Sequence, residues 1–267
     1  MRVVDVNRIL GPVPHDDVPG RDADGLRGEL DRLRIDEAWV VHSHAVYGDP
    51  LTVPPVEEDR LLAVPVVIPG PLGTGEPPPV PVVRLYPAAH RFSLGDDGSD
   101  HDHDHGDGDG DGDGDHDGAR LLRQLGERRT VTLVDWEQLD AAGRRRLSRR
   151  PGLPPLVLTG TGYRSLRELA GLLARCAHLY VDTSTLCGHR QVEWVAERFG
   201  AHRVLFGTGS PLTDDAGPRF QLDHLDLPAA DVARIAAGNA DRLVREAGGA
   251  HVAGERGSRT GGQEAGG

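Results

Sequence analysis

His42, His44, His90, Asp135 and Asp182 are the side chains of this sequence best suited to proton transfer or ligand binding. Each closes or follows a short apolar run. His42-Ser43-His44 has a metal-like spacing, because alternate residues of an extended segment face the same way. The same triplet also suits one His capping a strand and the other bonded in the loop before Tyr47-Gly48-Asp49-Pro50. Asp135 and Asp182 suit a ligand, a general base or a hydrogen-bond anchor, and equally a helix N-cap or loop-fixing role. His90, after Tyr86-Pro87, divides in the same way between site and loop. Asn7, Thr161, Ser184, Thr208 and Ser210 fall at comparable positions and would contact a substrate. Cys187 also follows a strand pattern, but no activating partner stands near it in sequence.

These residues need a scaffold that brings distant strand ends together. Apolar runs rich in β-branched residues recur at Arg2–Val6, Ala38–His42, Val64–Ile68, Val82–Tyr86, Thr130–Asp135, Pro155–Thr159, Leu179–Thr183 and Arg203–Thr208. Helical spacing appears over Gly25–Arg34, Trp136–Leu147, Ser165–Ala174 and His189–Phe199, with Ser165 and Glu168 at capping-box spacing. Two shorter helical patterns, Ala229–Ala236 and Asn239–Ala247, follow the eighth strand. Eight parallel βα units predict an α/β fold, a (β/α)8 TIM barrel spanning residues 1–247. Pro69 to Pro81 carries six prolines in thirteen residues, so the third helix is expected to be missing. The functional groups of such a barrel collect at the C-terminal ends of its strands.

The formal charge of −12 is local: residues 96–118 hold eleven aspartates and no Arg, and without them the charge is −1. A near-neutral body argues against a nucleic-acid partner or an anionic membrane surface. No apolar run reaches the ~18 residues of a membrane span, and two cysteines are too few for a disulfide scaffold. Cytoplasmic location and a small-molecule ligand are the expectation; nothing in the sequence specifies an oligomeric state. The chain has no Lys, which removes Schiff-base chemistry and a carbamylated-Lys metal bridge. The 96–118 segment, eleven Asp and four His among Gly, is read as a disordered acidic insert after strand four. The Gly-rich stretch 248–267 is read as a disordered tail. Gly160-Thr161-Gly162 followed by Asp182 has part of the shape of a nucleotide-binding unit, but lacks its third glycine.

Arg203-Val204-Leu205-Phe206-Gly207-Thr208-Gly209-Ser210-Pro211 resembles the last barrel strand of the amidohydrolase-related metal-dependent hydrolases, typically R-hydrophobic-L-F-G-S/T-D-x-P. Gly238-Asn239-Ala240-Asp241-Arg242-Leu243 is similar to the family's closing helix, and Val4-Asp5-Val6-Asn7-Arg8-Ile9 to its opening I-D-x-H-x-H strand. The resemblance implies a barrel hydrolase of small substrates whose norm is zinc or another divalent metal. At the family's ligand positions this chain has Asn7, Ile9 and Gly209, and its sixth strand ends in Thr159-Gly160-Thr161 rather than His. A degenerate metal centre follows, with no metal ligand assigned and no cofactor expected. The implied activity is hydrolysis or lysis of a small carboxylated or otherwise anionic substrate. The alternatives are a catalytically inactive binding or partner protein, and a nucleotide-binding α/β protein. Thr183-Ser184-Thr185 and Gly207-Thr208-Gly209-Ser210 end strands seven and eight, where barrels often bind phosphate. An anion held by those loops is therefore a further expectation.

Overall fold

The computed structural model describes residues 1–14, 20–56, 58–70, 73–94, 113–147 and 152–249, with the backbone alone at 113–116. Eight strands run in chain order: β1 (Val4–Leu10), β2 (Glu37–His42), β3 (Leu61–Ala63), β4 (Val82–Leu85), β5 (Val131–Asp135), β6 (Leu156–Thr159), β7 (Leu179–Asp182) and β8 (Val204–Leu205). All neighbours pair in parallel, as β1-β2-β3 and β4-β5-β6-β7-β8. Backbone hydrogen bonds join the two sheets at both seams. Val67 N–H donates to Arg84 O and Arg84 N–H to Pro65 O on one side. On the other, Val6 N–H donates to Phe206 O and Gly209 N–H to Asn7 O. The architecture is that of a TIM barrel.

The strands are buried on both faces, so their sequences read as continuous apolar runs. Val82, Leu133, Val157, Tyr180 and Leu205 pack into one cluster with Val4, Val6, Trp39 and Val41, filling the barrel. Val83, Leu85, Val134, Leu158, Val181 and Val204 alternate with them and pack outward against the helices. Among the described residues the helices are α1 (Ala23–Leu33), α2 (Ser43–Tyr47), α3 (Asp113–Glu127), α4 (Ala141–Leu147), α5 (Leu166–Arg175), α6 (Gln191–Phe199), α7 (Ala216–Asp223), α8 (Ala229–Ala233) and α9 (Asn239–Glu246). Ala240, Leu243 and Val244 of α9 join the inner cluster. No helix among the described residues is long and apolar enough to cross a membrane.

Several sequence expectations shift. The third strand is Leu61–Ala63, with Val66 adding a single bridge to Arg84, because Pro65 interrupts the run read as Val64–Ile68. Helix α3 begins at Asp113, so the last six residues of the segment read as a disordered insert are helical. Within that end Gly118 packs so closely on the Ser93 carbonyl that a Cβ there would have no room. Residues 96–112 and the tail from 250 lie outside the described residues. The Ser165–Glu168 capping box does not form. Ser165 Oγ donates to Gly162 O at 2.9 Å, and Glu168 accepts from Arg144 instead. Helices α2, α3 and α7 have no counterpart among the helical patterns read from the sequence. No helix is found between β3 and β4 among the described residues, in keeping with the prolines there.

Candidate functional site at the barrel mouth

Strand alternation sets the site. On β4 the inward positions are Val82, Arg84 and, just beyond, Tyr86; on β5 they are Val131, Leu133 and Asp135. Parallel register places Asp135 beside Thr159, and carries Asp182 to the same end of the barrel on β7. In β1 the pairing slips by one residue between Asp5 and Arg8, a bulge that brings Asn7 inward as well as Val6. The lower layers of the barrel are apolar. The uppermost layer is polar.

That layer is one connected network centred on Arg84, which is 3% exposed. Its Nη1 donates to Asn7 Oδ1 at 2.7 Å, and its Nη2 donates to Asp135 Oδ1 at 2.6 Å and to Thr159 Oγ1 at 3.2 Å. Thr159 Oγ1 donates in turn to Asp135 Oδ1. Asn7 Nδ2 donates to Asp182 Oδ2 at 2.9 Å, which ties β1 to β7. Burial disfavours the Arg84 charge, but Asp135, Tyr86 and Asp182 outweigh it and raise its pKa. Burial pushes the fully buried Asp182 carboxyl up to about 6, against hydrogen bonds from Ser184 and Asn7 that lower it. Gly207 packs against this carboxylate: a Cβ there would lie 2.6 Å from Asp182 Oδ2.

Tyr86 covers the guanidinium, its ring centre 5.2 Å from Arg84 Cζ. Burial raises its phenol pKa, with Arg84 pulling the other way. Tyr47, exposed at the end of α2, has its phenol raised first by burial and then by Asp135. Asp135 is 29% exposed on its side chain, so the network opens to solvent on this side.

The structure brings together Asn7, Asp135, Asp182 and Ser184 from the sequence-derived candidates. His42 and His44 are not adjacent ligands on an extended segment. His42 ends β2 and its Nδ1 accepts from His44 N–H, while His44 Nε2 lies 3.3 Å from Thr52 Oγ1. These are the capping and loop roles, because the chain turns into α2 directly after His42. Burial lowers the His42 pKa, as does the neighbouring His44. His90 sits in the turn after β4 with its ring edge-on to Tyr86, its pKa lowered by burial. Thr161 is fully buried, with no partner for its hydroxyl among the described residues.

Thr208 and Ser210 belong to a different, bracing network. Asp5, completely buried, accepts from Arg8 Nε at 2.8 Å, from Thr208 Oγ1 at 2.6 Å and from the N–H groups of Asn7 and Thr208. Ser210 Oγ lies 3.4 Å from Asp215 Oδ2, and Asp215 also accepts from Arg8. On the β8 side the expected anion corner is filled by the chain itself. The N–H groups of Gly207, Thr208, Gly209 and Ser210 donate to Thr183 Oγ1, Asp5 Oδ1, Asn7 O and Thr208 Oγ1. The Thr183 hydroxyl is spent on Gly207 O.

Sequence reasoning missed Arg84, Tyr47 and the Asp5–Arg8 pair. One signal was available: an Arg in the middle of Val82-Val83-Arg84-Leu85-Tyr86 breaks an otherwise apolar strand.

Residues 151–245 match the family model described as Amidohydrolase. That stretch of the chain is similar to amidohydrolases. The matched stretch holds β6 to β8 with Thr159, Asp182 and Thr208. No curated protein matches the chain. Among solved structures, the uncharacterised TIM-barrel protein Bb4693 from Bordetella bronchiseptica is similar at 14% identity and TM-score 0.62, covering 93% of this chain and 100% of that one. Amidohydrolase 2 from Bifidobacterium longum subsp. infantis is similar at 15% identity and TM-score 0.59, covering 92% and 99%. The 5-carboxyvanillate decarboxylase LigW from Sphingomonas paucimobilis is similar at 11% identity and TM-score 0.56, covering 91% and 99%. At these identities the likeness is one of fold.

Proposed function

We propose that the amidohydrolase-like barrel acts on a small carboxylated substrate at its C-terminal mouth, as a hydrolase or lyase, with Asp182 moving the proton. The observation that carries this reading is the connected layer of Asn7, Arg84, Asp135, Thr159 and Asp182 inside the barrel. Five polar groups converge where barrels of this fold place their chemistry. A carboxyl with its pKa at about 6 exchanges protons efficiently near neutral pH. The name of LigW, a carboxyvanillate decarboxylase, supports a carboxylated substrate class.

The divalent metal of related barrels does not suit this donor set. The oxygens of Asn7, Asp135 and Thr159 are already turned to a guanidinium. Among the described residues no three His, Cys, Asp or Glu side chains group as metal ligands. A doubly charged ion about 5 Å from that guanidinium would meet roughly 7 kcal/mol of repulsion at an effective dielectric of about 20. No step is therefore routed through a metal. Nucleotide binding is not favoured, because Gly160-Thr161-Gly162 follows the sixth strand of a barrel rather than the first strand of an open sheet.

The test is turnover of a panel of small carboxylic acids, lactones and amides, followed by mass spectrometry, in the wild type and Asp182→Asn. Product formed by the wild type and lost in the variant supports the reading. Equal turnover in both removes Asp182 from the chemistry. A panel that is neither bound nor turned over removes the enzyme reading.

A further inference from the structure

The Arg84 guanidinium collects oxygen acceptors from three other strands: Asn7 on β1, Asp135 on β5 and Thr159 on β6. Such convergence of oxygens on one buried positive centre is what a coordinated cation would otherwise impose. The set is not closed. Arg84 Nε is buried and has no acceptor among the described residues. The buried hydroxyls of Thr161, after β6, and Thr185, after β7, also lack partners there. A guanidinium presents five donors in a planar fork that matches a carboxylate. Three of its five N–H groups are used by the protein, one on Nη1 and both on Nη2, and the Nε–H is left without an acceptor among the described residues. The loop after β8, by contrast, offers no spare amide at Gly207 to Ser210.

We infer that Arg84 is the resident cation of the barrel mouth, in the place of a divalent metal, and that its spare Nε–H receives an oxygen of the substrate carboxylate. This rests on the reading of the mouth as a carboxylate site. Asp135 balances the guanidinium charge, and Tyr86 shields one side of it. The bound carboxylate gains a charge-assisted hydrogen bond from a guanidinium that is itself buried. Its reacting end is then held near Asp182, whose partner Asn7 is also a partner of Arg84.

The test uses the full chain, melted in EDTA and in millimolar Mn²⁺, with benzoate, benzamide or inorganic phosphate added. The wild type is expected to melt alike in both buffers, and benzoate but not benzamide is expected to stabilise it in each. Arg84→Lys keeps the charge without the fork, and is expected to bind benzoate about tenfold more weakly or worse. Arg84→Ala is expected to melt lower and to gain stability from Mn²⁺ beyond any change in the wild type, since Asp135 and Asp182 are left facing an emptied centre. Should that variant fail to fold, the lysine variant still decides. Benzoate binding that needs Mn²⁺ and disappears in EDTA would overturn the inference while leaving the carboxylate reading intact. Wild-type affinity in Arg84→Lys would overturn it too, as would stabilisation by phosphate alone. Loss of the carboxylate reading itself shows differently, as no response to benzoate in either buffer.

Discussion

Replacing Asp182 by Asn should stabilise the protein at neutral pH and leave it unchanged in acid. Asp182 is fully buried, and desolvation lifts its carboxyl from the ordinary 3.8 to about 6. Between those two values the folded chain holds a proton that the unfolded chain has released. Stability therefore falls as pH rises through this window, and the whole deficit is present above about pH 6. The gap corresponds to about 3 kcal/mol. Asn keeps an oxygen to accept from Asn7 Nδ2 and carries no charge at any pH. Urea unfolding of the wild type and of Asp182→Asn, at steps from pH 4 to pH 7.5, isolates this group from every other titration. The stability difference should be near zero at the acid end and grow to about 3 kcal/mol in favour of the variant at the neutral end. A difference that does not change with pH would refute the argument, because desolvation would then not be what tunes this carboxyl. A destabilised, proton-exchanging group kept in a barrel mouth is the usual trade of stability for function.

The Asp5–Arg8 pair braces β1 to the end of β8, so Arg8→Met leaves a buried carboxylate short of its partner and should cost about 3–5 kcal/mol in denaturant unfolding. Gly118→Ala should destabilise by about 1–3 kcal/mol, since its Cβ meets Ser93 O. Gly28→Ala in α1, with no atom within 4 Å of a Cβ, should instead stabilise by up to about 1 kcal/mol. The two glycine variants are compared by thermal and urea melts. His44→Ala removes only the contact with Thr52, and should leave carboxylate affinity and stability within about 0.5 kcal/mol of the wild type.

Much of the fold was legible because parallel strands buried on both faces write themselves as apolar runs. Seven of the eight strands lie where those runs stand, and the described residues of the proline-rich crossover form no helix. Strand three was displaced because Pro65 cannot donate to the ladder, which ends the regular pairing at Ala63. Helix α3 was partly hidden because its first residues belong to the Asp-Gly run, whose composition gives no helical period. The mouth was half legible. Asp135, Asp182 and Asn7 were found as strand ends, since strand ends point to the mouth. Arg84 was not, because an inward residue in the middle of a strand looks like core unless its charge is taken as the signal. The bulge that re-aims Asn7 depends on the pairing of β1 with β2, which no local pattern records. Thr208 was read as a ligand group because its partner, Asp5, lies at the other end of the chain; Ser210 was, although Asp215 stands five residues on, because the turn that brings them together has no local signature.

The most direct measurement is a crystal of the full chain soaked with 4-bromobenzoate in EDTA, with the bromine located by its anomalous signal. The expected result is a single site in the barrel mouth, the carboxylate within hydrogen-bond distance of Arg84 and the ring lying toward Tyr47 and Asp135. Bromine found only outside the mouth, or a carboxylate held by the loops after β7 and β8 with Arg84 untouched, would contradict a carboxylate site built on this guanidinium.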